Sequence, residues 1–393
     1  MKLLTFTSLY PHHEKPSHGI FVETRLRHLL ASGQAESRVV APVPWFPVRH
    51  RWFGRYASYA RIPAHENRNG IEVARPRFAA IPRLGIGLSP LLLAAGARST
   101  VAGILDTHGF DVIDAHYFYP DGVAAAMLGR YFNKPVVITA RGSDISLLPS
   151  YPVARRQIVW AAGQARALVA VCDALRVAMV SLGIPASKVR TLRNGVDLDL
   201  FHPVDGRAVR ARLGMTGYTL LAVGNLVTLK GHELMIGALP MMPDVQLRIA
   251  GTGPLERQLK ALAERLGVAS RVRFLGALSQ EELRDYYGAA DALVLASSRE
   301  GWPNVLLESM ACGTPVLAPR VWGIPEVVAS ADAGLLYGER SSAAIAEAVA
   351  VMRASPPSRE ATRRYAERFS WDETTHGQLR LFRSIMAMDG APA

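Results

Sequence analysis

Residues 299–313 read Arg-Glu-Gly-Trp-Pro-Asn-Val-Leu-Leu-Glu-Ser-Met-Ala-Cys-Gly, and they follow a short apolar run at 291–296. Such a run is typical of a strand that is buried on both faces of a parallel sheet. A glycine and a proline then interrupt the chain, and residues 304–312 are good helix formers that end at Gly313. The stretch therefore predicts a strand, a tight turn and a helix.

Two carboxylates flank the predicted turn, Glu300 before it and Glu308 about one turn inside the helix. A helix that begins at the carboxyl end of a parallel strand presents backbone amides where open α/β sheets bind phosphate groups. An ionised carboxylate can accept hydrogen bonds from two neighbouring hydroxyls, such as those of a hexose or a ribose. The pattern favours a nucleotide-sugar site. The alternative is a solvated loop acid and a half-buried helix glutamate.

Short apolar runs alternate with turns and helical periodicity along all 393 residues, which is enough chain for about two domains. The predicted fold class is therefore α/β. Ligands of such folds bind beyond the carboxyl ends of the strands. In the first half, His116 stands at the end of a predicted strand and is a candidate for binding on that ground.

Residues 299–313, together with Asn-Gly-Val-Asp at 194–197, resemble the signature of the retaining glycosyltransferases of family 4. The resemblance covers almost the whole chain and is strongest at 190–340. It implies the GT-B fold, which has two facing Rossmann-like domains with an interdomain cleft. It also implies three parts of the chain: an acceptor-binding domain at 1–195, a nucleotide-sugar-binding domain at 196–370 and a C-terminal helix at 371–393 that crosses back to the first domain.

The resemblance implies a role for each candidate residue. Glu300 would contact the donor sugar and Glu308 the ribose. Lys230 would neutralise charge on the leaving diphosphate, and His116 would contact the sugar near the reacting carbon. The remaining donor contacts implied by the family are Gly19, Asn225, Gly253, Gly301, Trp302, Pro303, Asn304 and Val305.

Three positions depart from the family pattern. Asn225 stands where relatives usually have Arg, and Pro303 stands where they often have Gly. Arg141 stands where relatives commonly have His, so it is a candidate for contact with phosphate or the acceptor, as is the nearby Asp144.

The implied reaction is transfer of a hexose from a nucleoside diphosphate with retention of configuration. The leaving phosphate itself would take the acceptor proton. Two alternatives stay open. A nucleotide-sugar epimerase would convert the donor without an acceptor, and a non-catalytic protein would bind a sugar nucleotide or a polyanion without turnover.

No cofactor and no metal are expected. Asp197 and Asp199 form an Asp-x-Asp pattern, which holds a divalent cation in another glycosyltransferase class, but the surrounding Asn-Gly and Phe-His-Pro favour a linker turn. Cys172 and Cys312 lie far apart in sequence without metal-type spacing. A disulfide framework thus has little support, and a reducing cytoplasm is the expected location.

The net charge of +12 lies in the first half, because residues 1–195 carry 24 Lys or Arg against 11 Asp or Glu. Such a field favours an anionic partner. Residues 42–61 contain six aromatic residues, four arginines and no acid, which suits a membrane interface or a polyanionic glycolipid; a loop packed on its own domain is the alternative.

We therefore expect a lipid-linked acceptor, reached from the cytoplasmic face of a membrane, and a protein bound there peripherally. Nucleic acid is not expected, because no recognition motif accompanies the charge. The apolar stretch at 84–105 contains a proline and an arginine and is expected to be too interrupted to span a bilayer.

Overall fold

The computed structural model describes residues 1–46, 55–80 and 85–389. Contacts divide the chain into two compact units. The first unit comprises residues 1–194 and 372–393, and the second comprises residues 195–371.

The strands of the described residues are β1 (Lys2–Phe6), β2 (Glu36–Val40), β3 (Val43–Pro44), β4 (His65–Arg68), β5 (Ile71–Ala74), β6 (Arg77–Phe78), β7 (Val112–His116), β8 (Val136–Ala140), β9 (Ala167–Ala170), β10 (Val189–Thr191), β11 (Tyr218–Val223), β12 (Val245–Ala250), β13 (Val272–Gly276), β14 (Ala292–Val294), β15 (Val316–Pro319) and β16 (Gly334–Tyr337).

The α-helices of the described residues are α1 (Ile20–Ala31), α2 (Arg55–Arg61), α3 (Gly85–Thr107), α4 (Val123–Phe132), α5 (Ser143–Ser146), α6 (Pro152–Gln164), α7 (Asp173–Ser181), α8 (Gly206–Leu213), α9 (His232–Ala238), α10 (Glu256–Arg265), α11 (Gln280–Ala289), α12 (Asn304–Ala311), α13 (Ile324–Val327), α14 (Ser342–Ala354), α15 (Arg359–Ala366) and α16 (Trp371–Asp389).

The main sheet of the first unit has the strand order β10-β9-β8-β7-β1-β2-β5-β4. All neighbouring strands in it are parallel except β4 and β5. Helices connect the parallel strands, so the loops after β1, β7 and β8 all lie at the carboxyl ends of the strands, which we call the carboxyl edge of the sheet. This edge carries the candidate residues of the first unit.

The sheet of the second unit has the order β13-β12-β11-β14-β15-β16 and is parallel throughout. Its strands are almost wholly apolar because helices cover both faces. The loops after β11 and β14, which carry Lys230 and Glu300, leave neighbouring strands at the same edge. Each unit is thus a Rossmann-like sheet, as the resemblance implied.

Helix α16 contributes to the core of the first unit although it follows the second unit in sequence. Its Leu379, Phe382 and Ile385 are buried in one cluster with Leu3 of β1 and Val137 of β8. The end of the chain is therefore an integral part of the first unit.

The apolar stretch at 84–105 forms most of α3, and the expectation that it is too interrupted was wrong by length and composition. Residues 86–107 qualify on those two criteria as one candidate membrane span among the described residues. Pro90 lies near the start of the helix, where a missing N–H costs little. Core helices of soluble proteins pass the same test, and Leu93, Ala97 and Val101 are buried along one side of α3.

Candidate functional site

In the second unit the central motif folds as a strand, a turn and a helix. Strand β14 ends at Val294, and α12 begins at Asn304. The turn between them is held by contacts within the unit, since the Glu300 carbonyl accepts a hydrogen bond from the Gly323 amide at 3.2 Å. The Trp302 ring is buried and lies 6.1 Å from the ring of Phe369. Gly301 and Pro303 are also buried, whereas Asn304 and Val305 at the start of α12 are partly exposed.

Lys230 and Glu300, both predicted to act on the donor, form an ion pair. The Lys230 Nζ donates to Glu300 Oε1 at 2.5 Å. The side chains keep 20% and 12% of their surface exposed, so an approaching ligand can reach this pair. A cation held beside a partly buried carboxylate can neutralise one phosphate, and the carboxylate can accept from sugar hydroxyls.

Gly231 places Lys230 in this position. Its φ of +66° is in the left-handed region, and a Cβ there would lie 2.3 Å from the Ala296 carbonyl oxygen. Only glycine allows the loop after β11 to approach the end of β14 this closely. The Lys230 side chain then runs past Gly224, where an added Cβ would lie 3.3 Å from the lysine Cε.

Glu308 lies on α12 and is supported by a residue that the sequence analysis missed. The Tyr287 hydroxyl at the end of α11 donates to Glu308 Oε2 at 2.8 Å. Burial raises the pKa of Glu308 to about 7, although the bond from Tyr287 acts in the opposite direction. The carboxyl group therefore titrates near neutrality. The sequence gives little indication that Tyr287 contacts Glu308, because tyrosine is common near the end of an amphipathic helix.

Asn225 and Gly253 lie in loops that pack on each other. A Cβ on Gly253 would lie 2.4 Å from the Leu226 carbonyl oxygen, so this glycine permits close packing of two backbones. Asn225 is exposed, and its backbone carbonyl oxygen lies 3.3 Å from the Nε2 of His232. Burial lowers the pKa of His232 to about 4, so this histidine, also missed from sequence, is neutral at pH 7.

In the first unit Gly19 precedes α1 with a φ of +68°, and a Cβ there would lie 2.2 Å from the Leu9 carbonyl oxygen. The loop after β1 therefore requires glycine at this position. Nearby, the buried Asp121 accepts from the Ser8 amide at 2.7 Å and from the Ser8 hydroxyl at 2.9 Å. Burial raises the pKa of Asp121 to about 7.

His116, the predicted sugar contact at the end of β7, has both ring nitrogens engaged. Its Nε2 lies 3.2 Å from Asp114 Oδ2, and its Nδ1 lies 2.6 Å from Arg141 Nη2. Burial lowers the pKa of His116 to about 4, so the ring is neutral at pH 7. The neutral ring donates from Nε2 to Asp114 and accepts at Nδ1 from Arg141. In this arrangement His116 orients Arg141.

Arg141 and Arg25 form a cationic pair in the first unit. Both guanidinium groups donate to the Asn194 side-chain oxygen, Arg141 at 3.2 Å and Arg25 at 3.3 Å. Asp114 is the carboxylate that attracts both of them. Arg25 was not predicted as a site residue. It lies on α1, whose apolar periodicity indicates buried apolar side chains and gives no sign of a buried arginine.

Two carboxylates lie near the cationic pair, because Asp144, in addition to Asp114, attracts Arg141. Within the described residues, Nε and Nη2 of Arg25 and Nε of Arg141 are buried without a hydrogen-bond partner. Arg141 is itself partly exposed. Arg141 therefore retains an N–H donor for which the described residues supply no acceptor, and an anionic group that reached it would supply one.

Asp144 has a structural role in the same loop. Its carboxylate accepts from three backbone amides, those of Phe118 at 2.7 Å, Arg141 at 3.0 Å and Gly142 at 2.6 Å. Burial raises the pKa of this carboxyl group, while the amide bonds lower it. Asp144 fixes the backbone from which Arg141 projects.

Asp197 and Asp199 lie in the turn that enters the second unit. Asp197 Oδ1 accepts from the Asp199 amide at 3.2 Å and from the Leu200 amide at 2.9 Å. This is the capping turn that the flanking residues favoured. Across the described residues, no group of three His, Cys, Asp or Glu side chains is arranged to hold a metal ion.

Comparisons with known proteins identify the family and the fold of this chain. The model described as glycosyl transferases group 1 matches residues 210–369, and the model for glycosyltransferase family 4 matches residues 55–200. TuaC of Bacillus subtilis (strain 168), a protein assigned to teichuronic acid biosynthesis as a glycosyltransferase, is 30% identical over 361 residues, which are 89% of this chain and 88% of TuaC.

Two solved structures share the fold. Sucrose-phosphate synthase from Thermosynechococcus elongatus superposes with a TM-score of 0.82 at 20% identity, over 98% of this chain and 99% of that chain. HepE from Anabaena, in complex with UDP and glucose, superposes with a TM-score of 0.75 at 20% identity, again over 98% and 99%. With two Rossmann-like units and a relative that matches over most of both chains, this chain belongs to the family 4 glycosyltransferases and is a glycosyltransferase with the GT-B fold.

Proposed function

We propose that this enzyme transfers a hexose from a nucleoside-diphosphate sugar to a lipid-linked glycan acceptor, with retention of configuration, in the biosynthesis of a polysaccharide or glycolipid. The observation that carries the proposal is the Lys230–Glu300 pair at the edge of a parallel sheet, next to the N-terminus of α12. It offers a cation, a carboxylate and backbone amides within one short region.

The donor is held by the second unit in this proposal. The diphosphate binds Lys230 and the amides at the start of α12, and it takes over part of the interaction that Lys230 makes with Glu300. Glu300 then accepts from the sugar hydroxyls, and Glu308 accepts from the ribose. The complex of the HepE structure with UDP and glucose supports a donor of this class.

The chemistry requires one bond to break and one to form on the same face of the sugar. The bond between C1 and the phosphate oxygen breaks, and that oxygen takes the electron pair. The acceptor hydroxyl attacks C1 from the same side and gives its proton to the leaving phosphate. Lys230 stabilises the charge that develops there, so neither a metal nor a separate protein base is needed.

The acceptor side rests on the first unit. The Arg25–Arg141 pair and the excess of basic residues support an anionic acceptor, such as one that carries a lipid phosphate. The role of TuaC in teichuronic acid biosynthesis supports a glycan acceptor. We place the enzyme in the cytoplasm, bound peripherally to the cytoplasmic membrane.

Residues 42–61 are one part of this proposed membrane contact. Residues 47–54, with Trp52 and two of the four arginines, lie outside the described residues. Trp45 is 59% exposed, while Arg61 forms an ion pair with Glu14 at 2.6 Å.

The test is thermal unfolding with a panel of nucleotide-sugars in EDTA. A true donor at about 100 times its Kd should stabilise the fold by about 2.7 kcal/mol. The donor that stabilises is then incubated alone, and the released sugar is observed by NMR before mutarotation. Hydrolysis to the anomer of the donor supports retention, and the opposite anomer contradicts it. Conversion to an epimeric nucleotide-sugar would establish the epimerase alternative, and stabilisation that requires manganese would overturn metal independence.

A further inference from the structure

Five exposed apolar side chains of the first unit lie at the starts of two neighbouring helices. Ile86, Leu88 and Leu91 of α3 are 50%, 45% and 54% exposed. Tyr151 and Val153 at the start of α6 are 44% and 46% exposed. Side chains of this size are normally buried when they cluster, so their exposure on one surface needs a partner.

The two helix starts are in contact. A Cβ on Gly87 would lie 3.1 Å from Val153 Cγ1, and the Gln157 side-chain amide donates to the Gly87 carbonyl at 2.8 Å. We call the surface formed by both helix starts the α3–α6 surface, and its residues are Ile86, Leu88, Leu91, Leu147, Tyr151, Val153, Arg155 and Arg156.

The two charged residues of the α3–α6 surface are both arginines. Arg155 and Arg156 are exposed next to Val153, and neither residues 73–105 nor residues 145–172 contain an Asp or Glu. The first acid after Leu91 is Asp106, 15 residues further along α3. Fifteen helical residues span about 22 Å, so this carboxylate lies at the far end of the helix.

We propose that the α3–α6 surface docks onto an anionic lipid bilayer, with the aliphatic side chains and Tyr151 inserted among the headgroups and the two arginines paired with lipid phosphates. An apolar cluster bordered by arginines and free of carboxylates is complementary to such an interface and to few other surfaces. This inference rests on the proposed function, because it supplies the surface on which a lipid-linked acceptor would be met. It does not depend on residues 42–61.

The orientation of the surface suits that role. Helices α3 and α6 each run back antiparallel to the strand that follows them, so their starts lie at the carboxyl edge of the sheet. His116 is the last residue of β7, and Arg141 directly follows β8, at the same ends of the strands. A lipid held at the α3–α6 surface would therefore have its phosphate at the end of the unit where the cationic pair lies.

The helix rests on the bilayer surface in this arrangement and does not cross it. Leu93, Ala97 and Val101 are buried in the first unit, and Arg98 lies 5.4 Å from the ring centroid of Tyr131. The exposed large apolar side chains of α3 are Ile86, Leu88 and Leu91, which all lie near its start.

The experiment is flotation of the full chain with vesicles of phosphatidylglycerol and phosphatidylcholine, compared with phosphatidylcholine alone. The apolar variant is Leu88→Ser, Leu91→Ser and Val153→Ser, and the charge variant is Arg155→Glu and Arg156→Glu. The matched control is Val177→Ser and Val180→Ser on α7, where the side chains are 61% and 37% exposed. All substitutions are at exposed positions, and thermal unfolding verifies that each variant folds.

We expect wild type and control to bind the anionic vesicles, and both α3–α6 variants to lose roughly tenfold or more in partition. Equal binding by wild type and the apolar variant would overturn the inference, as would wild type that resists alkaline extraction like a spanning protein. A wild-type dimer that the apolar variant abolishes, without vesicle binding, would also overturn it and make this face a self-association surface.

The two proposals can fail separately. Wild type that is stabilised by a nucleotide-sugar but does not bind vesicles keeps the proposed transfer and removes the membrane surface. Vesicle binding that depends on the α3–α6 residues, in a protein that no nucleotide-sugar stabilises, supports the surface and removes the proposed transfer.

Discussion

At the scale of single residues, we expect Glu308 to make nucleotide binding at the proposed donor site sensitive to pH. Burial raises its pKa to about 7, and only the ionised form can accept from both ribose hydroxyls. Nucleotide affinity should therefore rise with pH up to about 7 and then level off, and binding near pH 7 should release a proton. Calorimetry in buffers of different ionisation enthalpy measures that proton.

The raised pKa of Glu308 also determines how the contribution of this residue to folding stability changes with pH. The pKa of Glu308 in the folded state lies above the ordinary glutamate value of 4.5, so the folded state binds the proton more tightly than the unfolded state. The contribution of Glu308 to stability is thus fully present below pH 4.5 and is lost as pH rises to about 7. Tyr287→Phe removes a bond that lowers this pKa, so the binding profile should move to higher pH. An unchanged profile in that variant would contradict the assignment.

Glu300 and Glu308 should differ when each is changed to Gln. Glu308→Gln replaces a charged ribose acceptor with a neutral amide and should weaken free nucleotide by roughly 1.5 to 3 kcal/mol. Glu300→Gln should leave free nucleotide affinity unchanged or higher, because Lys230 loses its 2.5 Å partner, and should impair nucleotide-sugar binding and turnover. Titration with nucleotide and with nucleotide-sugar separates these effects. Equal loss of nucleotide affinity in both variants would refute the division of roles.

From the sequence, the candidate site residues were easier to predict than the side chains that contact them. The positions of Glu300, Glu308 and Lys230 follow from local patterns of strand, turn and glycine. Tyr287, which supports Glu308, is 21 residues away in sequence, and the partner of Glu300 is 70 residues away. Such pairs depend on which strands become neighbours, and this information is not local.

At the scale of elements, α16 should stabilise the first unit. Phe382 is 1% exposed in a cluster with residues of β1 and β7 to β9. Phe382→Ala should therefore cost about 3 to 5 kcal/mol of unfolding free energy, measured by urea denaturation. Met388→Ala on the same helix, at a side chain that is 63% exposed, should change stability by less than about 0.5 kcal/mol. Equal stability of the two variants would show that α16 is not part of the core.

Helices and strands were largely predictable where the period of the apolar residues and the residues at the ends of the element indicated the same structure. The helix predicted at 304–312 is observed as Asn304–Ala311, and the strand predicted at 291–296 is observed as Ala292–Val294. Element α3 was misjudged because a proline near a helix start is tolerated. The short pair β3 and β6 was not foreseen, since two-residue strands leave no periodicity to detect.

At the scale of the whole molecule, the net charge belongs to the first unit alone. Residues 1–194 carry 24 basic and 11 acidic side chains, and residues 372–393 add two and three, which gives +12. Residues 195–371 carry 19 of each and are neutral. Salt should therefore raise the KM for an anionic acceptor more than the KM for the donor. Steady-state kinetics from low to high salt tests this, and equal sensitivity of both KM values would contradict it.

The two places where the chain passes between units lie next to each other within each unit. On the second unit, the Val196 amide donates to the Phe369 carbonyl at 2.9 Å, and a Cβ on Gly195 would lie 2.5 Å from the Trp371 nitrogen. On the first unit, the Thr374 hydroxyl donates to the Arg193 carbonyl. In sequence, the second unit is therefore an insertion into the first unit between residues 194 and 372. We therefore expect that residues 195–371 can be replaced by the corresponding unit of another family member without removing the contacts that α16 makes in the first unit.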